Sequence, residues 1–384
     1  MRILYDGFIY GAQAAGGVNR YFTRLIGGLP GSFHPALLLG RRRAIEYPTH
    51  PHLKVYEYGR RRLDAVSHRL SVGLSRLEDY RVRRLLDSGR FDLAHPTYYN
   101  LLTGRETGDY RCPVVLTVWD MIHERFPETL DVTGAHAEEK RRALHGADHL
   151  ICISESTRND LLERYPTLAD RVSVTHLASS IDESIAHGPE PVPQRPYFIY
   201  VGFRAEYKNF GLLLSAFARV APSRPDAALC VVGAPLTEDE RKRVAELGLE
   251  GRVELFEHPT DAHLAKLYRS SIALVYPSLY EGFGIPPLEA MSCGTAAVVS
   301  NTSSLPEVVG DAGLLFDPCS ADQLTDIMYA LLDHPAERAR LNEQGQRRAR
   351  LFSWEKTVSQ TLDIYRAVAA SAGAKPRRAA EGHA

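Results

Sequence analysis

Apolar positions along this chain follow two alternating rhythms. Short unbroken apolar runs, bounded by Gly, Pro, Asp or Ser, read as buried strands, and apolar residues recurring every three to four positions read as helix faces. Residues 2–5, 36–39, 91–95, 113–118, 150–153 and 171–177 predict strands. Among them lie helical stripes: Val18, Tyr21, Phe22, Leu25 and Ile26; Leu63, Leu70, Leu74, Leu77, Leu85 and Leu86; Leu161 and Leu162. A second alternation starts at 197–201 and continues through strands at 228–232, 253–256, 272–276, 296–299 and 314–316. Its helix faces are Leu212, Leu213, Ala216 and Phe217, then Leu324, Ile327, Met328, Leu331 and Leu332. The last helix carries Trp354, Val358, Leu362 and Tyr365. Between the two alternations, Pro189, Pro191, Pro193 and Pro196 interrupt any regular element. Strands alternating with helices on both sides of one break predict an α/β protein of two doubly wound, Rossmann-like parallel-sheet domains facing a cleft. The expected boundaries are 1–187, 188–352, a C-terminal helix at 353–370, and a disordered Ala-rich tail at 371–384.

One stretch carries most of the candidate chemistry. The apolar run ending at Tyr276 is followed by Pro277 and Ser278, then Gly282 and Gly284, then Pro286 and Pro287. That order predicts strand, glycine loop, helix start. Such a corner offers backbone N–H groups and a positive dipole end to an anion. Two carboxylates flank it, Glu281 and Glu289. Carboxylates accept hydrogen bonds from hydroxyls, so the corner suits a phosphorylated, hydroxyl-rich ligand. A second glycine loop, Gly16 and Gly17, follows the first strand. Ligands of parallel sheets bind at the carboxyl ends of strands, which makes His95, Trp119, Asp120 and His123 site candidates.

Composition narrows the setting. The chain has 384 residues, 44% hydrophobic and 24% charged, as expected of a globular protein with more than one domain. A net charge of -1 gives no reason to expect nucleic acid as a partner. Charge is uneven, however. Residues 41–90 hold twelve Arg and one Lys against six Asp or Glu, a net of +7. This is either a solvated face or a patch for anionic lipid or a phosphate-bearing acceptor. Five scattered cysteines without a C-x-x-C pair predict neither a disulfide framework nor a zinc site, and fit a reducing cytoplasm. The N-terminus does not read as a signal peptide, and no apolar run approaches the ~20 residues of a membrane span.

The stretch 281–295 resembles retaining glycosyltransferases of the GT-B fold, specifically glycosyltransferase family 4. The family signature E-G-F-G-x-P-x-x-E-A-M-x-x-G stands here as Glu281, Gly282, Phe283, Gly284, Pro286, Glu289, Ala290, Met291 and Gly294. Gly202, Arg204 and Lys208 resemble the family's phosphate-binding loop, and Gly16 and Gly17 its N-terminal glycine loop. The Trp354 helix resembles the C-terminal helix that crosses back to the first domain. The resemblance implies that Arg204 and Lys208 neutralise the diphosphate of a nucleotide-diphospho-sugar. Glu289 would hold the ribose hydroxyls and Glu281 a hydroxyl of the sugar. Phe283, Gly284 and Ile285 would offer backbone N–H groups. Gly16 and Gly17 would close from the other domain.

No metal or other cofactor is expected, and retention would follow a front-face displacement. By analogy the donor is GDP-mannose, and the acceptor a glycan or lipid-linked glycan. Many relatives carry His where this chain has Trp119. Asp120 or His123 would then make the polar contact, or Trp119 would stack on the sugar. Two alternatives stay open: a sugar-nucleotide epimerase of the same fold, and a non-catalytic sugar-nucleotide-binding protein.

Overall fold

The computed structural model describes residues 1–40, 44–58 and 80–373. The expected helices at Leu63, Leu70, Leu74 and Leu77, the arginines 41–43 and 60–62, and the tail beyond 373 lie outside the described residues. The chain divides into two compact units. The first comprises Met1–Ile153, Thr157–His176 and the segment from Trp354 onward, and the second Ser154–Ser156 and Leu177–Ser353.

Strands of the first unit are β1 (Arg2–Asp6), β2 (His34–Leu39), β3 (Lys54–Glu57), β4 (Leu93–Ala94), β5 (Val115–Val118), β6 (His149–Cys152) and β7 (Val172–Val174). They form two parallel sheets, ordered β3-β2-β1-β4 and β5-β6-β7, joined by a single parallel bridge between Ala94 and Val114. Strand β3 was not expected, because its four residues are mostly exposed at the sheet edge and carry no apolar run. The helix Gly17–Gly27 buries Tyr21, Phe22, Leu25 and Ile26, four residues of the expected stripe. A short helix, Phe8–Ala12, replaces the expected loop after β1. Its first two N–H groups are taken up by the Asp6 carboxylate (Phe8 N, 3.2 Å) and the Thr97 hydroxyl (Ile9 N, 3.2 Å), which offsets part of the cost of starting a helix.

The C-terminal helix, Trp354–Gly373, packs into this unit and extends past the expected end at 370. Its Tyr365 hydroxyl lies 2.5 Å from His95 Nδ1 and 3.3 Å from the Tyr5 hydroxyl. His95 Nε2 lies 2.9 Å from the Thr117 hydroxyl. His95 is therefore a core residue with both nitrogens engaged, and the expectation of a ligand-facing His95 is corrected. Burial depresses its pKa to about 3, so the ring is neutral.

The second unit holds one six-stranded parallel sheet. Its strands are β8 (Tyr197–Val201), β9 (Ala228–Val232), β10 (Val253–Phe256), β11 (Ala273–Tyr276), β12 (Ala296–Ser300) and β13 (Leu314–Phe316), in the order β10-β9-β8-β11-β12-β13. This is the doubly wound order of dinucleotide-binding folds. The four central strands are wholly buried and read as continuous apolar runs, as sheets covered on both faces do. The seam at 176–177 precedes the expected boundary at 188. The proline run belongs to the second unit because side chains of the helix Asp261–Ser270 bind its carbonyls. Lys266 Nζ donates to Gly188 O (2.8 Å) and Glu190 O (2.7 Å), and His263 Nε2 lies 2.8 Å from Pro191 O. Among the described residues no helix is long and apolar enough to cross a membrane.

Asp6 supplies a test of the first unit. Its carboxylate is buried at the carboxyl end of β1 and, among the described residues, accepts only backbone N–H groups, from Phe8 and Leu102. Burial raises its pKa from 3.8 to about 7, against the pull of those N–H groups. A raised carboxyl pKa favours the folded state at low pH, and that contribution is lost as pH rises from about 4 through 7. Asp6→Asn removes the titration. Relative to the parent, the variant should gain about 1–3 kcal/mol of unfolding free energy between pH 5 and pH 8, measured by urea denaturation. A constant difference across that range would show that Asp6 does not titrate there.

Candidate functional site

Order reversal in the second sheet places β8 and β11 side by side, and their following loops start at a topological switch point. The β8 loop turns at Gly202, whose φ of +138° suits glycine. It then forms the 3-10 turn Glu206–Lys208. Leu279 N donates to Tyr207 O at 2.7 Å, which ties the two loops together. Lys208 Nζ reaches Glu281 Oε1 at 2.6 Å and the Tyr276 hydroxyl at 3.3 Å. The Tyr207 ring lies 5.0 Å from the same ammonium. The two charged side chains are only 13% and 12% exposed. Burial works against the Lys208 charge, but Glu281 and the hydroxyls of Tyr276 and Tyr207 outweigh it, and the pKa stands well above the ordinary lysine value. Lys208 is a fixed cation.

The loop after β11 is held by serines. Ser304 Oγ lies 2.9 Å from the Glu281 carbonyl and 2.7 Å from the Phe283 carbonyl, Ser303 Oγ accepts from Glu281 N (2.9 Å), and Ser154 Oγ donates to Gly282 O (2.7 Å). Gly284 sits at φ +108° before the helix Ile285–Ser292, and a Cβ there would lie 2.9 Å from Leu305 Cδ2. Both facts demand glycine. Pro286 and Pro287 occupy the first helical turn, as expected. Phe283 is buried and packs edge-on against Phe352, so its side chain serves the core. Glu289 is buried on the helix, where Oε2 accepts from the Tyr268 hydroxyl at 3.0 Å.

Arg204 leaves the β8 loop toward β9. Its Nε donates to Glu240 Oε1 (2.8 Å), and its Nη2 donates to Ala234 O (2.8 Å) and Pro235 O (2.7 Å). Gly202, Arg204, Lys208, Glu281, Phe283, Gly284, Ile285 and Glu289 thus all lie on the loops and helix start after β8 and β11. The side chains of Tyr200, Tyr268, Tyr276, Glu240, Ser303 and Ser304 complete the arrangement without having been expected. Only Tyr200 and Tyr276 carried a signal, as aromatic residues near the carboxyl ends of predicted strands.

The remaining candidates belong to the first unit. Gly16 and Gly17 are exposed at the start of the helix Gly17–Gly27. Trp119 follows β5 and is buried edge-on against Tyr21 (5.1 Å) and Phe22 (6.1 Å). The indole fills the core, which corrects the expectation of a sugar-stacking platform. Its Nε1 is buried with no partner among the described residues. Asp120 Oδ1 accepts from Ile122 N (3.1 Å) and lies 3.5 Å from Lys140 Nζ. That buried ammonium also donates to Asp120 O (3.1 Å) and to Glu124 Oε2 (2.8 Å). His123 lies beside His136, ring centroids 5.0 Å apart, and its pKa is lowered by burial and by Lys140.

Comparison with known proteins shows the family and the fold. Residues 15–182 match Glycosyltransferase Family 4, and residues 182–348 match the family described as glycosyl transferases group 1. Over 305 residues the chain is 32% identical to alpha-maltose-1-phosphate synthase of Mycobacterium tuberculosis, covering 71% of this chain and 78% of that protein. This chain belongs to glycosyltransferase family 4. It is also 35% identical over 236 residues to O-antigen chain mannosyltransferase B of Escherichia coli, a match covering 58% of this chain. It is 32% identical over 232 residues to the MMP alpha-(1->4)-mannosyltransferase of Mycolicibacterium hassiacum, covering 59% of this chain. These two matches span 62% and 56% of the relatives' own lengths, less than two thirds of either. Among solved structures, sucrose-phosphate synthase of Thermosynechococcus elongatus superposes with a TM-score of 0.74 at 21% identity, over 96% of this chain and 99% of that one. The fold of this family 4 member is therefore GT-B.

Breaking the central ion pair gives a stability test. Lys208→Met leaves a nearly buried Glu281 carboxylate unpaired and should cost about 3 kcal/mol of unfolding free energy. Adding Glu281→Gln should restore at least half of that loss. Urea denaturation of parent, single variants and double variant measures the coupling. Simple additivity of the two single losses would mean that the pair does not stabilise the fold as a unit.

Proposed function

We propose that this chain is a retaining glycosyltransferase. It moves a hexose, mannose in the first instance, from a nucleotide-diphospho-sugar to a hydroxyl of a glycan or lipid-linked glycan. The observation that carries this reading is the fixed Lys208 ammonium held on Glu281 at the switch point of the second sheet. A permanent cation beside a helix start attracts diphosphate, and the carboxylates of Glu281 and Glu289 are acceptors for sugar and ribose hydroxyls. Relatives named as mannosyltransferases support mannose, and GDP-mannose is the donor adopted from that analogy. Of the similar structures, the Anabaena protein HepE was solved with UDP and glucose, which supports a nucleotide-sugar donor of some kind.

The proposed chemistry needs no metal. The acceptor oxygen bonds to the anomeric carbon on the face from which the diphosphate leaves. The bond from that carbon to the β-phosphate oxygen breaks, and the acceptor proton passes to the departing phosphate oxygen. Charge grows on that phosphate, and the Lys208 ammonium and Arg204 guanidinium stabilise it there. In this reading Asp120 or His123 makes the polar contact to the donor sugar. Exposed Arg81, Arg83, Arg84 and Arg90 support a cationic face in the segment 41–90 for an anionic membrane surface on the cytoplasmic side. A second reading, sugar-nucleotide binding without transfer, draws on Trp119, which stands in the core where the family resemblance implies a donor-contacting His.

Thermal-shift measurements over UDP-, GDP-, ADP- and dTDP-sugars identify the donor, since saturating a site at about 100 Kd stabilises the fold by about 2.7 kcal/mol. With that donor, Arg204→Ala and Lys208→Ala should each lower kcat/KM at least about tenfold, the loss of one charge-assisted contact. Unchanged kcat/KM in both variants would dismiss the donor-site assignment. Donor binding without turnover on any acceptor would select the binding-protein reading. NMR of the product anomer tests retention, and a trapped covalent sugar adduct would overturn the front-face step. Vesicle co-sedimentation should show salt-sensitive binding to anionic lipid. Binding that is equal on neutral lipid would remove the membrane proposal.

A further inference from the structure

Arg204 is the cation whose geometry the family resemblance leaves unexplained. Its side chain is only 5% exposed, and it lies across the carboxyl ends of β8 and β9. Two of its three guanidinium nitrogens are spent inside the protein, Nε on Glu240 and Nη2 on the carbonyls of Ala234 and Pro235. The third, Nη1, is buried and has no hydrogen-bond partner among the described residues. A buried guanidinium N–H without an acceptor is costly, and an anionic oxygen is the group that best relieves it. Gly233 leaves room beside Nη1. At Gly233 a Cβ would stand 3.2 Å from Nη1 and 2.7 Å from Gly202 O.

Glu240 decides where Nη1 points. Its Oε1 accepts from Arg204 Nε, while its Oε2 accepts from Thr237 N at 2.8 Å. Thr237 Oγ1 returns the contact by accepting from Glu240 N at 3.2 Å, a reciprocal cap on the helix Glu238–Glu246. The carboxylate is thus fixed by a helix end, and it fixes the guanidinium in turn. Guanidinium nitrogens are coplanar, so holding Nε and Nη2 sets the direction of Nη1.

We propose that Glu240 is a positioning residue that aims Arg204 Nη1 at an oxygen of the donor's diphosphate. This rests on the donor-site reading of the second unit given above. Without Glu240 the guanidinium keeps its charge and its Nη2 contacts but is free to turn about them, so Nη1 loses its fixed direction, which is what makes a charged contact productive. The alternative effect, repulsion of the diphosphate by the Glu240 carboxylate, would act in the opposite sense. The same variants separate the two.

UDP, GDP and ADP are each titrated calorimetrically into the parent and into Glu240→Ala, Glu240→Gln, Thr237→Ala, Arg204→Ala and Arg204→Ala/Glu240→Ala. Circular dichroism and thermal unfolding establish that each protein is folded. Glu240→Ala should weaken the diphosphate that binds the parent at least tenfold. Glu240→Gln keeps an acceptor oxygen for Nε at the expense of the one for Thr237 N and should stay within threefold of the parent; if the alanine variant does not fold, Glu240→Leu replaces it and should lose at least tenfold. Thr237→Ala removes only the Oγ1 half of that cap, keeps the Thr237 N contact that holds Glu240 Oε2, and should also stay within threefold. The double variant should bind no more weakly than Arg204→Ala alone. Equal or tighter binding by Glu240→Ala, an equal loss in Thr237→Ala, or an additive double variant would each overturn the positioning role. No binding by the parent, or no loss in Arg204→Ala, would overturn the donor-site reading itself and the positioning role with it.

Discussion

An ammonium group that is nearly out of water must have a carboxylate within hydrogen-bond reach, and Lys208 finds Glu281 at 2.6 Å. Around that requirement much of the second unit is arranged. Lys208 comes from the loop after β8 and Glu281 from the loop after β11, strands that are neighbours because the strand order reverses between them. Gly202 and Gly284 turn the two loops, and Ser303 and Ser304 pin the carboxylate's own backbone. Tyr276 adds a hydroxyl and a ring beside the ammonium. Each of these residues has a physical reason to be the type it is, independent of any ligand.

The two units solve the same topological problem with opposite chemistry. In both, a strand order of the form 3-2-1-4 brings the loops after the first and fourth strands together. The second unit fills that corner with an ion pair. In the first, the Asp6 carboxylate takes only backbone N–H groups among the described residues, while Thr97 donates to Asp6 O and accepts from Ile9 N. The first corner is thus largely closed by its own backbone, whereas the second presents a lysine, an unsatisfied arginine nitrogen and two carboxylates.

Much of this was legible in the chain. Apolar runs located all six strands of the second unit because buried parallel strands need no polar alternation. The stretch Glu281–Gly294 was legible because glycines and prolines are demanded there by φ angle and by helix start. What stayed hidden depended on long-range partners. His95 looked like a ligand residue because it follows a strand, yet Tyr365, 270 positions later, claims it for the core. Trp119 looked like a platform until Tyr21 and Phe22 were seen to enclose it. Glu240 gave no signal because it sits in an ordinary charged helix end. Strand β3 was invisible because an exposed edge strand carries no apolar signature. The seam fell before the prolines because Lys266 and His263 bind the carbonyls of that run, a contact that local composition does not encode.

The C-terminal helix has a consequence for how the protein is made. The first unit is not a continuous piece of chain, for its core takes residues that flank the second unit on both sides in sequence. In synthesis, the strands of this unit are made before the helix that completes their core. Until Tyr365 appears, His95 Nδ1 and the Tyr5 hydroxyl have no partner from that helix, and the surface that Val358 and Leu362 cover stays open. The second unit, contiguous apart from Ser154–Ser156, is synthesised in full before the first can close. Maturation therefore runs against the order of synthesis: the half begun first is the half finished last.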